Sequence, residues 1–348
     1  MNCNRKNKYE FERKQECKAT SRYKRFFLMI AFTCMLSFVM TGCSNAKGDH
    51  TGEIKNTADT NQLSIVTTIF PPYDFARELT QGEAELKMLL KPGTEMHSYE
   101  PTPQDMIAIQ NCDVFIYVGG ESDAWVDECL ESIEGERKVI KLLDCVEPVE
   151  EELVEGMEAE EAEETEESEA EEKEFDEHVW TSPKNAILIV SKMARVFSEA
   201  EPQKADTYQE RSKAYCEKLS ELDQAFTDVT ENAKHHALIF GDRFPLRYFA
   251  DAYNLDYYAA FPGCSSDTEA SASTIAFLIK KVKEEQIPVV FKIELSNGQT
   301  AECIAEDTGS EVKTFYTCHN LTKEEFEANK TYLDFMRENL QSLKQALN

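Results

Sequence analysis

From Leu63 onward, short apolar runs alternate with longer stretches in which apolar residues recur at spacings of three and four. That alternation predicts an α/β fold, with mostly parallel strands covered by helices. In the first half, strands are expected at Leu63 to Ile69, Leu86 to Leu90, Val114 to Val118 and Val139 to Leu143. Phe70-Pro71-Pro72 should stop the first strand before a helix through Leu79, and further helices are expected over Pro103 to Gln110 and around Trp125 to Ile133. An amphipathic helix follows over Pro183 to Ser198. Pro202 sits where a helix begins, and the residues after it, through Ala233, hold no glycine or proline and carry Tyr208, Tyr215, Leu219, Leu222 and Phe226 at spacings of three, four and seven. A helix of that length spans about 45 Å, enough to cross between two lobes. The second half repeats the pattern, with strands at Ala237 to Phe240, Tyr257 to Phe261, Val289 to Ile293 and Val312 to Phe315. Its helices are expected over Tyr248 to Tyr253, Thr274 to Glu285, around Gln299 to Glu306, and in one closing segment from Lys323 to Leu347. The division is thus an N-terminal lobe over 63–201, a linking helix over 202–234 and a C-terminal lobe over 235–348.

The first 62 residues read differently. Nine Lys and Arg residues precede an apolar run from Phe26 to Met40, which is shorter than the roughly 20 residues of a membrane-spanning helix. The run ends in Met40-Thr41-Gly42-Cys43, which looks like a bacterial lipobox. Residues 1–43 are therefore expected to be a lipoprotein signal peptide ending at lipidated Cys43, with 44–62 a flexible tether. An uncleaved signal anchor is the alternative. Either places the folded part on the extracytoplasmic face of a bacterial membrane.

Charge narrows the partners. The formal net charge is -29, and loss of residues 1–42 leaves 28 Lys+Arg against 63 Asp+Glu, or -35. Such a surface excludes nucleic-acid binding and favours cations nonspecifically. Seventeen of the acids fall in the insert 150–177 against the single base Lys173, a composition expected to stay disordered. Its placement directly before His178 leaves open a metal-gathering role based on carboxylates.

Two histidines sit among turn-forming residues: His97 in KPGTEMHSYEPTPQDM (Lys91 to Met106) and His178 in DEHVWTSP (Asp176 to Pro183). Held at strand ends by such turns, they are suited to metal coordination. Both segments resemble the substrate-binding lipoproteins of ABC transporters that import zinc or manganese. The resemblance covers roughly residues 63 to 348 and implies two rigid lobes closing on one ion in the cleft between them. It makes His97 and His178 the first two ligands. The family's third ligand is a histidine just after the first strand of the second lobe; here the string is Gly241-Asp242-Arg243-Phe244-Pro245, so Asp242 is the candidate. The fourth is a carboxylate before the last helix, where this chain offers His319 in Thr317-Cys318-His319-Asn320. Glu294 is the reserve carboxylate, and Glu95, Glu100 or Asp176 could orient the imidazoles.

Three imidazoles and one carboxylate favour zinc, whereas two of each would favour manganese. The implied role is capture without catalysis: one ion per monomer, delivered to a permease and its ATPase subunits. Affinity should fall below about pH 6.5, where protons compete for histidine. A surface adhesin with a structural metal site is an alternative. A zinc-dependent hydrolase is a further one, but no H-E-x-x-H motif is present. The cysteines beyond Cys43 show no C-x-x-C spacing, which argues against a structural zinc knot. Cys264 and Cys318 flank the second lobe's side of the implied cleft and are the expected disulfide pair, if one forms.

Overall fold

The computed structural model describes residues 62–97, 99–157, 174–265 and 269–348. The lipobox, Cys43 and most of the acidic insert lie outside the described residues.

Two four-stranded, wholly parallel sheets form the framework, as the alternating pattern predicts. The first holds β1 (Leu63–Thr67), β2 (Ala84–Met88), β3 (Val114–Tyr117) and β4 (Lys138–Lys141) in the order β2-β1-β3-β4. The second holds β5 (Ala237–Phe244), β6 (Asp256–Pro262), β7 (Val289–Lys292) and β8 (Glu311–Thr314) in the order β6-β5-β7-β8. The two orders are equivalent. In each, the strand sequence reverses direction beside the first strand, and the loops beyond the carboxyl ends of such strands form a crevice. β1 and β3 are buried on both faces, which is why they read as continuous apolar runs.

Around the first sheet lie α1 (Phe70–Thr80), α2 (Pro103–Asn111) and α3 (Trp125–Ser132). Phe70-Pro71-Pro72 does not precede α1 but forms its first turn, where a missing proline N–H costs no hydrogen bond. α4 (Pro183–Ala200) turns at Pro202–Lys204, a single 3-10 turn, into α5 (Ala205–Glu231). With 27 residues, α5 is about 40 Å long. The second sheet carries α6 (Arg247–Tyr253), α7 (Ala272–Glu285) and α8 (Gln299–Thr308). The expected closing helix is broken into α9 (Lys323–Glu327) and α10 (Tyr332–Ala346). The break has a local cause: Thr322 with Glu325 and Thr331 with Asp334 each make a capping box, and Asn329 between them is left-handed with φ 55°.

One apolar core runs through both lobes. It includes Ile65 and Phe75 from the first, Trp180 from the turn that precedes α4, Met193, Tyr215 and Phe226 from α4 and α5, and Phe240, Phe291 and Phe315 from the second. Phe75 packs edge-on to Tyr332, and Phe226 edge-on to Phe249. A continuous packed core resists relative movement of its parts, which limits the lobes to small adjustments.

β5 is longer than its apolar run suggests. It continues through Gly241-Asp242-Arg243-Phe244, with a register shift between Phe240 and Arg243. A side chain at Gly241 would meet the Ala301 backbone at 2.4 Å, so only glycine lets α8 lie this close to β5. Among the described residues, no helix is long and apolar enough to cross a membrane.

Candidate metal centre

The His97 loop follows β2. Gly93, with φ 83°, makes the turn that the Pro-Gly pair predicts. The opposite lobe grips this loop: Asn320 Nδ2 donates to the carbonyls of Lys91 at 2.9 Å and Thr94 at 2.7 Å, and Gly93 N donates to Leu321 O at 2.8 Å. Beyond the loop, Thr102 and Asp105 form a capping box at the start of α2, with Pro103 in its first turn.

His178 follows β4 and the acidic insert. The ends of that insert are ordered against each other, correcting the expectation of disorder for 150–157 and 174–177. Glu150 and Phe175 form an antiparallel bridge, and Asp176 N donates to Val149 O at 2.9 Å. His178 then enters a 3-10 turn, Val179–Thr181, which leads through Ser182 to Pro183 at the start of α4.

These loops bring three of the four predicted ligands together. The ring centroids of His97 and His178 are 5.7 Å apart, and those of His97 and His319 6.5 Å apart. Each imidazole is held through Nδ1. For His97 the partner is Ser122 Oγ at 2.8 Å, for His178 it is Asp176 Oδ1 at 3.1 Å, and for His319 it is Thr317 Oγ1 at 2.6 Å. The Thr317 hydroxyl donates in turn to Glu294 Oε1 at 2.7 Å, so it accepts from His319 Nδ1–H. Nδ1–H donation leaves Nε2 as the lone-pair nitrogen. Nε2 of both His178 and His319 is buried and has no hydrogen-bond partner among the described residues. Two such orphans facing one crevice are costly unless something electrophilic sits between them.

Electrostatics separates the three rings. Burial, reinforced by His178 and His319, pushes the pKa of His97 down to about 3. Burial likewise lowers His319 to about 4. For His178, burial opposes the proton, but Asp176, then Glu177 and Glu151, outweigh it and raise the pKa above 6.5. Two neutral rings thus stand beside one that holds a proton more tightly than usual.

Asp242 is engaged with the backbone. Its position at the β5 irregularity leaves two amides without ladder partners, and its carboxylate serves them: Oδ1 accepts from Arg243 N at 2.9 Å and Oδ2 from Ile293 N at 3.3 Å. Glu294 is not a free carboxylate either. It is buried, accepts from Thr317 N and Oγ1, both at 2.7 Å, and burial raises its pKa to about 7. Beside Nε2 of His319 lies Glu95, whose Oε1 is 3.9 Å away. Glu95 is itself engaged with Arg243 across the lobes at 2.8 Å.

Sequence reasoning missed several supporting groups. Ser122 is placed by Glu177, whose Oε1 accepts from Ser122 N at 2.7 Å, and by Asp123, whose Oδ2 accepts from Val118 N at 2.7 Å. A side chain at Gly120 would meet Glu177 Cγ at 2.2 Å, so the Gly119-Gly120 turn needs its second glycine for space. No short motif marks these residues; they converge only through the fold. The disulfide expectation is also corrected, since Cys264 and Cys318 are both free thiols.

With this geometry in view, the similarities to known proteins are coherent. The family model for ZnuA, "Zinc-uptake complex component A periplasmic", matches residues 65–346. The zinc-binding lipoprotein AdcA of Streptococcus pneumoniae is 31% identical over 322 residues, covering 92% of this chain but 61% of the relative, so the chain spans less than two thirds of that protein. The high-affinity zinc uptake system protein ZnuA of Bacillus subtilis is 30% identical over 326 residues, covering 92% of this chain and 97% of the relative. Among solved structures, the Zn(II)-bound ZnuA-like domain of S. pneumoniae AdcA superposes with a TM-score of 0.67 at 30% identity, over 82% of this chain and 99% of that one. The chain belongs to the ZnuA family of zinc-uptake components.

Proposed function

We propose that this chain captures one zinc ion outside the cytoplasm and delivers it to the permease of an ABC importer. One observation carries the reading: three imidazoles, each oriented through Nδ1, converge on one crevice, and two of them present buried Nε2 atoms with no hydrogen-bond partner among the described residues. A borderline-soft divalent ion accepts such nitrogen donors and relieves their isolation. The ion is read as cargo, in keeping with the zinc-uptake family to which the chain belongs.

Nitrogen donors favour zinc over manganese, which would call for oxygen donors in the set. Glu95, beside His319 Nε2, is committed to Arg243. Capture at a membrane would be completed by a lipid on Cys43, with the chain acting as a monomer whose two lobes dock on the permease. Both expectations are open to test, the first by fatty-acid labelling that Cys43→Ala should abolish.

The decisive measurement is zinc affinity of the mature protein by competition with a chromophoric chelator. His97→Ala and His178→Ala should each weaken binding on the order of a hundredfold or more, exceeding the cost of losing an orienting partner. Wild-type affinity in both variants would sink the proposal.

A further inference from the structure

The fourth donor is absent from the histidine set, and the fold itself indicates where to look. His97 follows β2 and His319 follows β8, while His178 follows β4. The two sheets have equivalent strand orders, so β4 corresponds to β8 and β2 to β6. The loop after β6 is therefore the counterpart of the loop that carries His97. It holds Gly263 and Cys264. The ligating atoms of His97, His178 and Cys264 lie within 4.8 Å of one another. Donors around a tetrahedral zinc ion sit about 3.5 Å apart, so modest side-chain rotation closes the gap. His178, fully buried with an unpartnered Nε2, is the independent sign of a ligand at this point.

We infer that Cys264 supplies a thiolate to the captured ion, giving a three-histidine, one-cysteine site with two donors from each lobe; the inference rests on the histidine reading above. The loop is built for this placement. A side chain at Gly263 would come within 3.3 Å of His178 Cε1 and 3.1 Å of Pro245 Cα, so glycine lets the backbone press against the histidine. On either side of the thiol the backbone is pinned: Cys264 N donates to Glu151 Oε1 at 3.3 Å, and Arg243 Nη1 donates to Ser265 O at 3.1 Å. The other candidates for the fourth position are occupied. Asp242 serves two backbone amides, and Glu95 accepts from its neighbour Met96 N at 3.0 Å while pairing with Arg243. On binding, the thiol proton leaves to solvent as the metal–sulfur bond forms. A thiolate adds preference for thiophilic ions, so Cys264 would be the residue that sets zinc above manganese.

Cobalt(II) substitution tests this directly. Tetrahedral ligand-field absorption reports binding at the histidines, whereas a near-ultraviolet thiolate-to-cobalt charge-transfer band reports sulfur. The wild-type protein should show both. Cys264→Ser and Cys264→Ala should keep the ligand-field bands, lose the charge-transfer band, and lower the zinc-to-manganese preference by about an order of magnitude. Cys303→Ser, at an exposed thiol on α8, should change neither. In parallel, zinc should slow alkylation of Cys264, followed by mass spectrometry, and leave Cys303 unaffected. Ligand-field bands without charge transfer in the wild type would overturn the thiolate and leave the histidine site standing. Absence of both bands together with no zinc stoichiometry would overturn both. A Cys264 alkylated equally fast with and without bound zinc would also reject it.

Discussion

Trp180 donates its indole N–H to the carbonyl of Thr317 at 2.8 Å, joining the loop of His178 to the loop of His319 through one buried hydrogen bond. Each partner lies two residues from a candidate ligand, and Tyr332 fastens the same tryptophan by donating its hydroxyl to Trp180 O at 2.8 Å. The lobes therefore meet at the site through fixed geometry as well as through the shared core. Trp180→Phe would leave the Thr317 carbonyl unpaired and open a void. It should destabilise the metal-free protein by about 2–4 kcal/mol in urea denaturation and weaken zinc binding. A variant matching wild type in both would show that this bond does not set the distance between loops.

The pH dependence of binding should be dominated by His178. A histidine with a raised pKa must release its proton before its nitrogen can coordinate. Zinc affinity is thus expected to rise with pH through and above 6.5, whereas His97 and His319, at about 3 and about 4, are neutral there. In the metal-free protein the same proton stabilises the fold below pH 6.5 and that contribution is lost as pH rises through the folded pKa. Calorimetry in buffers of different ionisation heat should count about two protons released near neutral pH, one from His178 and one from the Cys264 thiol. Asp176→Asn should move the affinity midpoint to lower pH. A wild-type midpoint near pH 4 would contradict this assignment.

Asp123 offers a stability test away from the ion. Burial raises its pKa from 3.8 to about 6 even though Val118 N and Gly119 N donate to it. With the folded pKa above the unfolded one, its favourable contribution is complete below pH 3.8 and lost as pH rises through about 6. Asp123→Asn keeps the acceptor oxygen without the charge. Relative to wild type, it should gain up to about 3 kcal/mol between pH 4 and pH 7 in chelator, read from urea midpoints. A pH-independent difference between the two proteins would refute the shift.

Gly120→Ala should act on the metal site through two intermediaries. The new methyl would collide with Glu177, which positions Ser122, which in turn holds His97. The expected result is a loss of about 1–3 kcal/mol in stability and a measurable drop in zinc affinity. Normal affinity would mean that His97 does not need Ser122 in place.

The acidic insert separates into two parts. Deleting residues 158–173 should leave the thermal midpoint and zinc affinity unchanged, because the bridge between Glu150 and Phe175 closes the base of the insert. Deleting 150–177 should abolish binding, since it removes Asp176 and Glu177 along with their supports for His178 and Ser122. Reduced uptake at limiting zinc in the shorter deletion would instead assign the acids a gathering role.

What the sequence determined by itself was the periodic framework and the two motif histidines. Apolar runs and helical spacings are local properties, so strands such as Val114–Tyr117 and the 27-residue α5 were legible, as was the alternation that makes each sheet parallel. Local turn chemistry likewise marked His97 and His178. Even the break between α9 and α10 was written in two Thr-x-x-Glu/Asp boxes, although the uninterrupted helical spacing masked it. Only the tertiary structure decided the rest, because it depends on what packs against what. The engagement of Asp242 with two backbone amides follows from a register shift in β5 that its local sequence does not announce. Cys264 was gained because two sheets of equivalent order bring their second-strand loops to the same crevice, a juxtaposition that 166 intervening residues conceal in the linear chain.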